Sequence, residues 1–311
     1  MKVKKAPALL SIAALSMLGL AACSDPDQAS EPAPDNNGEN IATESVAKFY
    51  DIDSIETQED IAALVPQEIK DRDVLRNGAS TDYAPAEFRD TDGQTPIGYD
   101  IELIKALAKV MGLSEGTTTH AEFPTIIPSL GTKFDIGVSS FTITDERLEQ
   151  VNMVSYVEVG SSYAVKAGNP TDFDPTDPCG TTLGVQTGTY QHEYANSLSD
   201  QCVADGKEAI KVMPHDLNTD SVTKLIGGQY DAVLSDSTIT GWAIEQTDGQ
   251  LEQVGDVIES EPQGIAINKD DAQLTEAIQK ALQYLMDEGI LKEILDLYGA
   301  GDAALDEAVV N

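Results

Sequence analysis

Short apolar runs of strand length alternate with segments of helical periodicity from Val74 onward. Runs bounded by Gly, Pro, Asp or Ser predict strands at residues 75–79, 134–139, 163–166, 183–186, 232–234 and 265–267. Apolar residues at helical spacing predict helices over 99–111 and 274–297, the second interrupted at Gly289. A shorter helix is predicted over 58–65, where Pro66 ends it. This alternation is typical of an α/β fold.

The N-terminus has the pattern of an export signal. Lys2, Lys4 and Lys5 precede an apolar stretch over 6–22, which is short for a membrane helix of about 20 residues. The tail of that stretch and Cys23 together resemble a bacterial lipobox, with ordinary cleavage after Ala-x-Ala as the alternative. We therefore expect residues 1–22 to be a lipoprotein signal peptide. The mature chain would lie outside the cytoplasm, anchored to the bacterial cell membrane by a lipid on Cys23.

The segment after Cys23 is acidic and rich in proline. Residues 24–44 contain no Lys or Arg and few apolar residues, so they cannot bury enough surface to fold. We expect residues 23–72 to form an acidic tether and an N-terminal extension that carries the predicted short helix.

Composition narrows the function classes. The 311 residues allow about two domains, and 19 Lys and Arg against 54 Asp and Glu give a net charge of −35. Such a surface repels phosphate backbones, which excludes nucleic acid as a partner. With 41% apolar residues, the chain is a globular protein rather than an acidic disordered one.

The cysteines predict a structural bond. Cys179 and Cys202 form an even pair in an exported chain, which predicts a disulfide, with two buried thiols as the alternative. Neither cysteine has the neighbours of a zinc site. The three histidines are scattered without metal-ligand spacing, and hydrolase, metalloprotease and phosphate-loop motifs are missing. We therefore predict no enzyme, no cofactor and no metal.

Two segments resemble one family. The sequence GYDIELI from Gly98, continued by AKVM from Ala108, is similar to the signature of the polar-amino-acid (family 3) solute-binding proteins of ABC importers. The block from Ser140 to Arg147, SFTITDER, with the preceding IPSL and Phe134-Asp135, resembles a second block of that family. Weaker matches are Tyr83-Ala84-Pro85, VQTGT from Val185, Tyr230-Asp231-Ala232 and the stretches around Gly289 and Tyr298, so the resemblance covers roughly residues 60–300.

The resemblance implies a type II periplasmic-binding-protein-like fold, with two α/β lobes joined by a two-stranded hinge. The chain is expected to cross between lobes near residue 160 and to return near 260. Lobe 1 would comprise residues 73–160 and 260–301, lobe 2 residues 161–259, and the C-terminal tail residues 302–311.

Arg147 is the residue predicted to bind the carboxylate group of the ligand. Its planar guanidinium can grip a carboxylate with two parallel hydrogen bonds. Ser140 and Thr142 precede it in an alternating segment, and Thr144 can cap the following helix. A surface ion pair with Asp145 or Glu149 is the alternative interpretation.

The second lobe contributes three predicted ligand contacts. Asp236 follows an apolar strand, at the sheet edge where α/β proteins bind ligands, and matches the family's acidic partner of the ammonium. Gly188 and Thr189 match the family's contact from this lobe to the carboxylate. Turn residues without a ligand are the alternative for all three.

Two aromatic residues, Tyr83 and Phe123, resemble the pair that sandwiches the ligand's side chain, although either could be core. Residues expected to border the side-chain pocket are Ser80, Phe141, Gln186 and Tyr190. None is Lys or Arg, which disfavours an acidic ligand. Ala86 and Tyr190 depart from the family pattern and leave the ligand's identity open.

The sequence thus predicts an extracytoplasmic, monomeric substrate-binding protein that captures a free amino acid by hinge closure and delivers it to a membrane permease. A polar neutral or basic side chain is favoured. A sensor module for amino acids and a cyclohexadienyl dehydratase-like enzyme are the alternatives.

Overall fold

The computed structural model describes residues 49–311, in which helices and strands alternate. The strands are β1 (Val74–Ala79), β2 (Phe88–Arg89), β3 (Pro96–Ile97), β4 (Glu115–His120), β5 (Ile136–Gly137), β6 (Val151–Lys166), β7 (Thr182–Gln186), β8 (Lys211–His215), β9 (Ala232–Asp236) and β10 (Leu251–Asn268). The α-helices are α1 (Glu59–Leu64), α2 (Gln67–Arg72), α3 (Tyr99–Val110), α4 (Phe123–Ile126), α5 (Asp145–Gln150), α6 (Tyr190–Ala204), α7 (Asn218–Ile226), α8 (Ser237–Gln246), α9 (Ala272–Asp287) and α10 (Ile290–Asp296). Short 3₁₀ helices lie at Ile52–Ser54, Ile127–Ser129 and Gly301–Ala303.

Two long antiparallel strands join two parallel groups into one eight-stranded sheet. Its order is β4-β1-β5-β10-β6-β9-β7-β8. Strand β1 is parallel to β4 and β5 on one side, and β7 is parallel to β8 and β9 on the other. Between the groups lie the two long strands, β6 with 16 residues and β10 with 18 residues. They pair with each other along their length: Val151 is opposite Asn268 at one end, and Lys166 is opposite Leu251 at the other. This is the predicted fold of two α/β lobes on a two-stranded hinge.

Each lobe has its own hydrophobic core. Lobe 1 packs α3, α9 and α10 on its sheet, with Leu107, Ile278 and Ile294 fully buried. Lobe 2 buries Leu183 and Leu234 from β7 and β9. The residue boundaries assigned to the lobes from the sequence remain a prediction.

The helical predictions agree with the structure. Helix α3 occupies the predicted segment, α1 ends before Pro66, and the predicted C-terminal helix divides into α9 and α10. The division falls at Gly289, whose φ of 74° lies in the left-handed region that favours glycine.

The prediction of a strand over 134–139 is too long, since β5 comprises only Ile136 and Gly137. Beyond Gly137 the backbone forms hydrogen bonds with a side chain instead of a neighbouring strand. Asn77 accepts a hydrogen bond from the Val138 amide at 2.7 Å and donates one to the Val138 carbonyl at 3.2 Å. The ladder therefore ends where the chain turns toward the cleft.

The predicted C-terminal tail runs along the lobe 1 half of β6. The amide of Asn311 donates to the Met153 carbonyl at 2.8 Å, and the amide of Ser155 donates to the Val309 carbonyl at 3.0 Å. Ala308 is buried in the lobe 1 core. These residues cover an edge of the hinge strand that would otherwise expose unpaired backbone groups.

The N-terminal extension also belongs to lobe 1, because Ile61 and Ile69 are buried in its core. The predicted signal peptide, Cys23 and the acidic tether over 24–44 lie outside the described residues. In lobe 2, Cys179 and Cys202 form the predicted disulfide, which ties the loop before β7 to α6.

Candidate functional site

A small cavity lies between the two lobes. It brings together seven of the eight principal residues predicted from the sequence: Tyr83, Phe123, Ser140, Thr142, Arg147, Thr189 and Asp236. Gln186 and Tyr190, expected at the side-chain pocket, also line it. Glu87 and Gln191 line it as well, and neither was singled out from the sequence.

Arg147 lies in the first turn of α5, where Thr144 caps the helix by accepting from the Arg147 amide at 3.3 Å. The guanidinium donates to the carbonyl of Thr142 at 2.7 Å and, across the cleft, to the carbonyl of Gly188 at 3.2 Å. Its central carbon lies over the Phe123 ring, 5.4 Å from the centroid. Because a guanidinium has five N–H groups, several remain for a ligand.

The charge of Arg147 is buried without an ionic partner. Only 9% of the residue is exposed, and this burial lowers the pKa of its guanidinium, which stays charged at neutral pH. Within residues 49–311 the side chain forms no ion pair, so the alternative of a surface pair with Asp145 or Glu149 is not observed. A buried cation without an anion is costly, and a ligand carboxylate would supply that anion.

Asp236 ends β9 and faces the same cavity. Its two carboxylate oxygens accept from Gln191 at 2.7 Å and from Gln263 at 2.8 Å. Burial raises the pKa of Asp236 to about 6, while those two hydrogen bonds and the charge of Arg147 oppose the rise. The carboxylate keeps lone pairs free for a further donor, as an ammonium group requires.

Glu87 places a second buried carboxyl group in the cavity wall. Its oxygens accept from Ser139 Oγ at 2.7 Å and Ser140 Oγ at 3.2 Å. Asp100 lies beside it and accepts from the Ser140 amide at 3.0 Å and from the Tyr156 hydroxyl at 2.7 Å. Burial and then the neighbouring Asp100 raise the pKa of Glu87 well above its usual range.

The two adjacent carboxyl groups hold at most one negative charge near neutral pH. Burial raises the pKa of Asp100 to about 7, and two carboxyl groups this close do not ionise together.

Glu87 was missed by the sequence analysis, although it follows the Tyr83-Ala84-Pro85 match by only two residues. Among 54 acidic residues, however, nothing in the sequence marks one as buried.

The loop before α6 forms the lobe 2 side of the site. Gly188 has a φ of 75°, and a Cβ atom there would lie 3.1 Å from Pro124, so glycine permits both the turn and the close approach. Thr189 caps α6 by accepting from the His192 amide at 3.1 Å, and its hydroxyl donates to the Gln186 carbonyl at 2.8 Å.

Three predicted residues lie just outside the cavity wall. Gly188 and Phe141 line an adjoining groove, and the Phe141 ring stacks on Phe123 with centroids 4.6 Å apart. Ser80 is buried behind Gln186, whose amide donates to its hydroxyl at 3.0 Å. The roles assigned to all these residues from the sequence remain predictions.

Comparison with known proteins identifies the family. The model of the bacterial extracellular solute-binding proteins, family 3, matches residues 75–301, which is more than half of the chain. The chain belongs to this family. Membership supports extracytoplasmic binding of an amino acid for an ABC importer, as the sequence motifs predicted.

Individual family members resemble the chain over most of its length. The arginine-binding protein ArgT of Corynebacterium glutamicum is 37% identical over 255 residues, covering 81% of this chain and 83% of that protein. An ancestral arginine-binding protein solved with arginine has a TM-score of 0.67 at 30% identity, covering 73% and 99% of the two chains. AncCDT-1, an ancestral amino acid-binding protein and a precursor of cyclohexadienyl dehydratase, has a TM-score of 0.67 at 28% identity, covering 76% and 99%.

Several contacts of this family 3 protein cross the cleft and hold the lobes together. The Asp236 amide donates to the Tyr83 hydroxyl at 3.1 Å, and Gln186 reaches Ser80. Helix α7 lacks a side-chain cap of its own at Leu217. Asp82 of lobe 1 supplies one by accepting from the Thr219 amide at 3.4 Å.

Neutralising this cap from the opposite lobe should weaken ligand binding. We expect Asp82→Asn to raise Kd about twofold to fivefold, because it keeps an acceptor for the Thr219 amide but loses the negative charge, which contributes about 0.3–1 kcal/mol at a helix N-terminus. The melting temperature without ligand should change little, since the contact requires closed lobes. The matched control is Asp220→Asn, which removes an exposed acid from the same helix turn. Equal affinity of Asp82→Asn and wild type in calorimetry would contradict the role.

Two further observations apply to residues 49–311. No group of three or more His, Cys, Asp or Glu side chains is placed to hold a metal ion. No helix in this range has the length and apolar character of a membrane span.

Proposed function

We propose that this protein captures an amino acid with a cationic side chain, L-arginine foremost, and delivers it to an ABC permease. The observation that carries the proposal is the balance of charges around the cavity. One buried cation, Arg147, lines the cavity together with two buried acids, Asp236 and Glu87, and the buried Asp100 lies behind Glu87.

Two of these charges fit the backbone of any free amino acid. The α-carboxylate would accept parallel hydrogen bonds from Arg147, with Ser140 and Thr142 beside it. The α-ammonium would donate to Asp236. Both ligand charges leave water when the lobes close, and each then has a partner of opposite sign.

The third charge favours a basic side chain. A neutral amino acid would leave the negative charge of Glu87 and Asp100 buried and unpaired, which is costly. A guanidinium or ammonium group at the end of the ligand would neutralise it. This narrows the prediction from the sequence, which favoured neutral and basic side chains alike.

The names of similar proteins support the same ligand. ArgT and the ancestral protein solved with arginine are both described as arginine-binding. We also propose that this protein releases its ligand unchanged, because those relatives and AncCDT-1 carry the names of binding proteins.

A ligand panel tests the proposal. Wild-type protein is heated with each of the common L-amino acids and with ornithine. We expect L-arginine at about 100 times its Kd to raise the melting temperature by several degrees, with smaller shifts for lysine and ornithine. A larger shift from a neutral amino acid would overturn the ligand assignment, and no shift from any amino acid would overturn the ligand class.

The attachment and assembly of the protein are also proposals. We propose that it acts as a monomer held at the membrane by a lipid on Cys23, as the lipobox-like sequence indicates. In cells, Cys23→Ser should then move the protein from the membrane fraction to the soluble fraction.

Ligand binding should weaken as the pH falls through 6. Burial holds the pKa of Asp236 at about 6, and a bound ammonium would lower it, so the complex holds fewer protons than the free protein. At pH 5 most free protein must lose a proton before it binds, which raises Kd by about tenfold from this group alone. Calorimetry at pH 5.0 and 7.5, in two buffers of different ionisation enthalpy, measures Kd and the released protons. An unchanged Kd with no proton release would contradict the assignment.

A further inference from the structure

Ser140 has a backbone conformation that serine rarely adopts. Its φ is 50°, in the left-handed region, although it is not a glycine. It also lines the cavity, where its hydroxyl donates to Glu87. Backbone strain of this kind persists only where surrounding groups impose it, and it is often found at functional sites.

Asp100 is hydrogen-bonded to the Ser140 backbone. It lies in the first turn of α3, fully buried, and one carboxylate oxygen accepts from the Ser140 amide at 3.0 Å. The other oxygen accepts from the hydroxyl of Tyr156 on β6 at 2.7 Å. The carboxylate therefore links a helix and a hinge strand to the Ser140 amide.

We propose that Asp100 is a positioning residue for the ligand site, which acts by holding Ser140 in the left-handed conformation. Asp100 does not line the cavity, so its effect passes through Ser140. Ser140 in turn sets the place of its own hydroxyl and of the Glu87 carboxyl group. The identity of the ligand rests on the proposed function, whereas the control of Ser140 by Asp100 does not.

A double-mutant cycle separates positioning from a general structural role. Asp100→Ala removes both carboxylate oxygens, including the one that accepts from the Ser140 amide, and we expect Kd for L-arginine to rise about tenfold or more. Glycine adopts a positive φ freely. In a Ser140→Gly background, Asp100→Ala should therefore change Kd by less than about threefold. Equal effects in both backgrounds would overturn the proposal.

The matched control is Tyr156→Phe. This variant removes the other hydrogen bond to Asp100 and leaves the bond to the Ser140 amide in place. We expect a lower melting temperature with Kd within about threefold of wild type. A loss of affinity as large as that of Asp100→Ala would show that any disturbance of the buried carboxylate suffices, against the proposal.

Amide hydrogen exchange of the ligand-free protein gives an independent readout. The Ser140 amide should exchange slowly in wild type and in Tyr156→Phe, and much faster in Asp100→Ala. Unchanged protection in Asp100→Ala would overturn the proposal. If Asp100→Ala does not fold by circular dichroism, Asp100→Ser, which also removes the carboxylate, is measured in its place.

The two proposals fail in different ways. If wild type binds another amino acid but not L-arginine, the proposed ligand is wrong, and the cycle is measured with the amino acid that binds. If nothing binds, the proposed function fails and the exchange of the Ser140 amide alone decides the role of Asp100.

Discussion

Arg147→Ala is expected to reduce the affinity for L-arginine by about 150-fold to 5,000-fold. The ligand carboxylate would then be buried without a cation, and breaking a buried charge pair costs about 3–5 kcal/mol. Arg147→Lys should retain part of the affinity, because it keeps the charge and loses the two parallel hydrogen bonds. Calorimetric titration measures all three proteins.

A second arginine provides the control. Arg76 is paired with Asp135 in lobe 1, at 2.8 Å, and does not line the cavity. Arg76→Ala should lower the melting temperature and leave Kd within about twofold of wild type. If the Kd of Arg147→Ala for L-arginine lies within fivefold of the wild-type value, Arg147 does not bind the ligand's carboxylate.

Glu87→Gln should change which amino acid the protein prefers. Replacing the carboxyl group by an amide keeps its shape and removes a group that can ionise beside a bound cation, so L-arginine should bind about 10-fold to 100-fold more weakly. The affinity for L-citrulline, the neutral isostere of arginine, should stay the same or rise. The selectivity ratio, measured by titrating both ligands, therefore falls.

The control for Glu87 is Asp82→Asn. Asp82 lies near the cleft but does not line the cavity, so its loss should weaken both ligands equally and leave the selectivity ratio unchanged. A Glu87→Gln protein that retains the wild-type ratio would show that another group recognises the ligand's side chain.

The sequence predicts the fold well because its main signals are local. Apolar runs and helical periodicity give β1, β5, β7, β9, part of each hinge strand β6 and β10, and the helices α1, α3, α9 and α10. The more polar strands β4 and β8 were not predicted. The end of β5 cannot be predicted from local patterns. There the side chain of Asn77, which is 61 residues away in sequence, forms the hydrogen bonds to Val138 that a neighbouring strand would otherwise form. The tail over 302–311 pairs with β6 for an equally nonlocal reason.

The candidate site divides in the same way. Arg147 and Asp236 stand in recognisable motifs, so their positions follow from the resemblance to the family. Asp100 lies in the GYDIELI motif, but neither Asp100 nor Glu87 carries a local sign that it is buried beside Ser140. Only folding shows that Ser140 lies against both carboxyl groups, and burial gives those groups their altered pKa values.

The central claim is that the buried charges of the cavity select a cationic amino acid. The most direct measurement is a calorimetric titration of wild type at pH 7.5 with L-arginine and with L-citrulline, which differ chiefly in one charge. We expect L-arginine to bind about 100-fold more tightly, or more, because it alone neutralises the charge of Glu87 and Asp100. Equal affinity for the two ligands would contradict the claim.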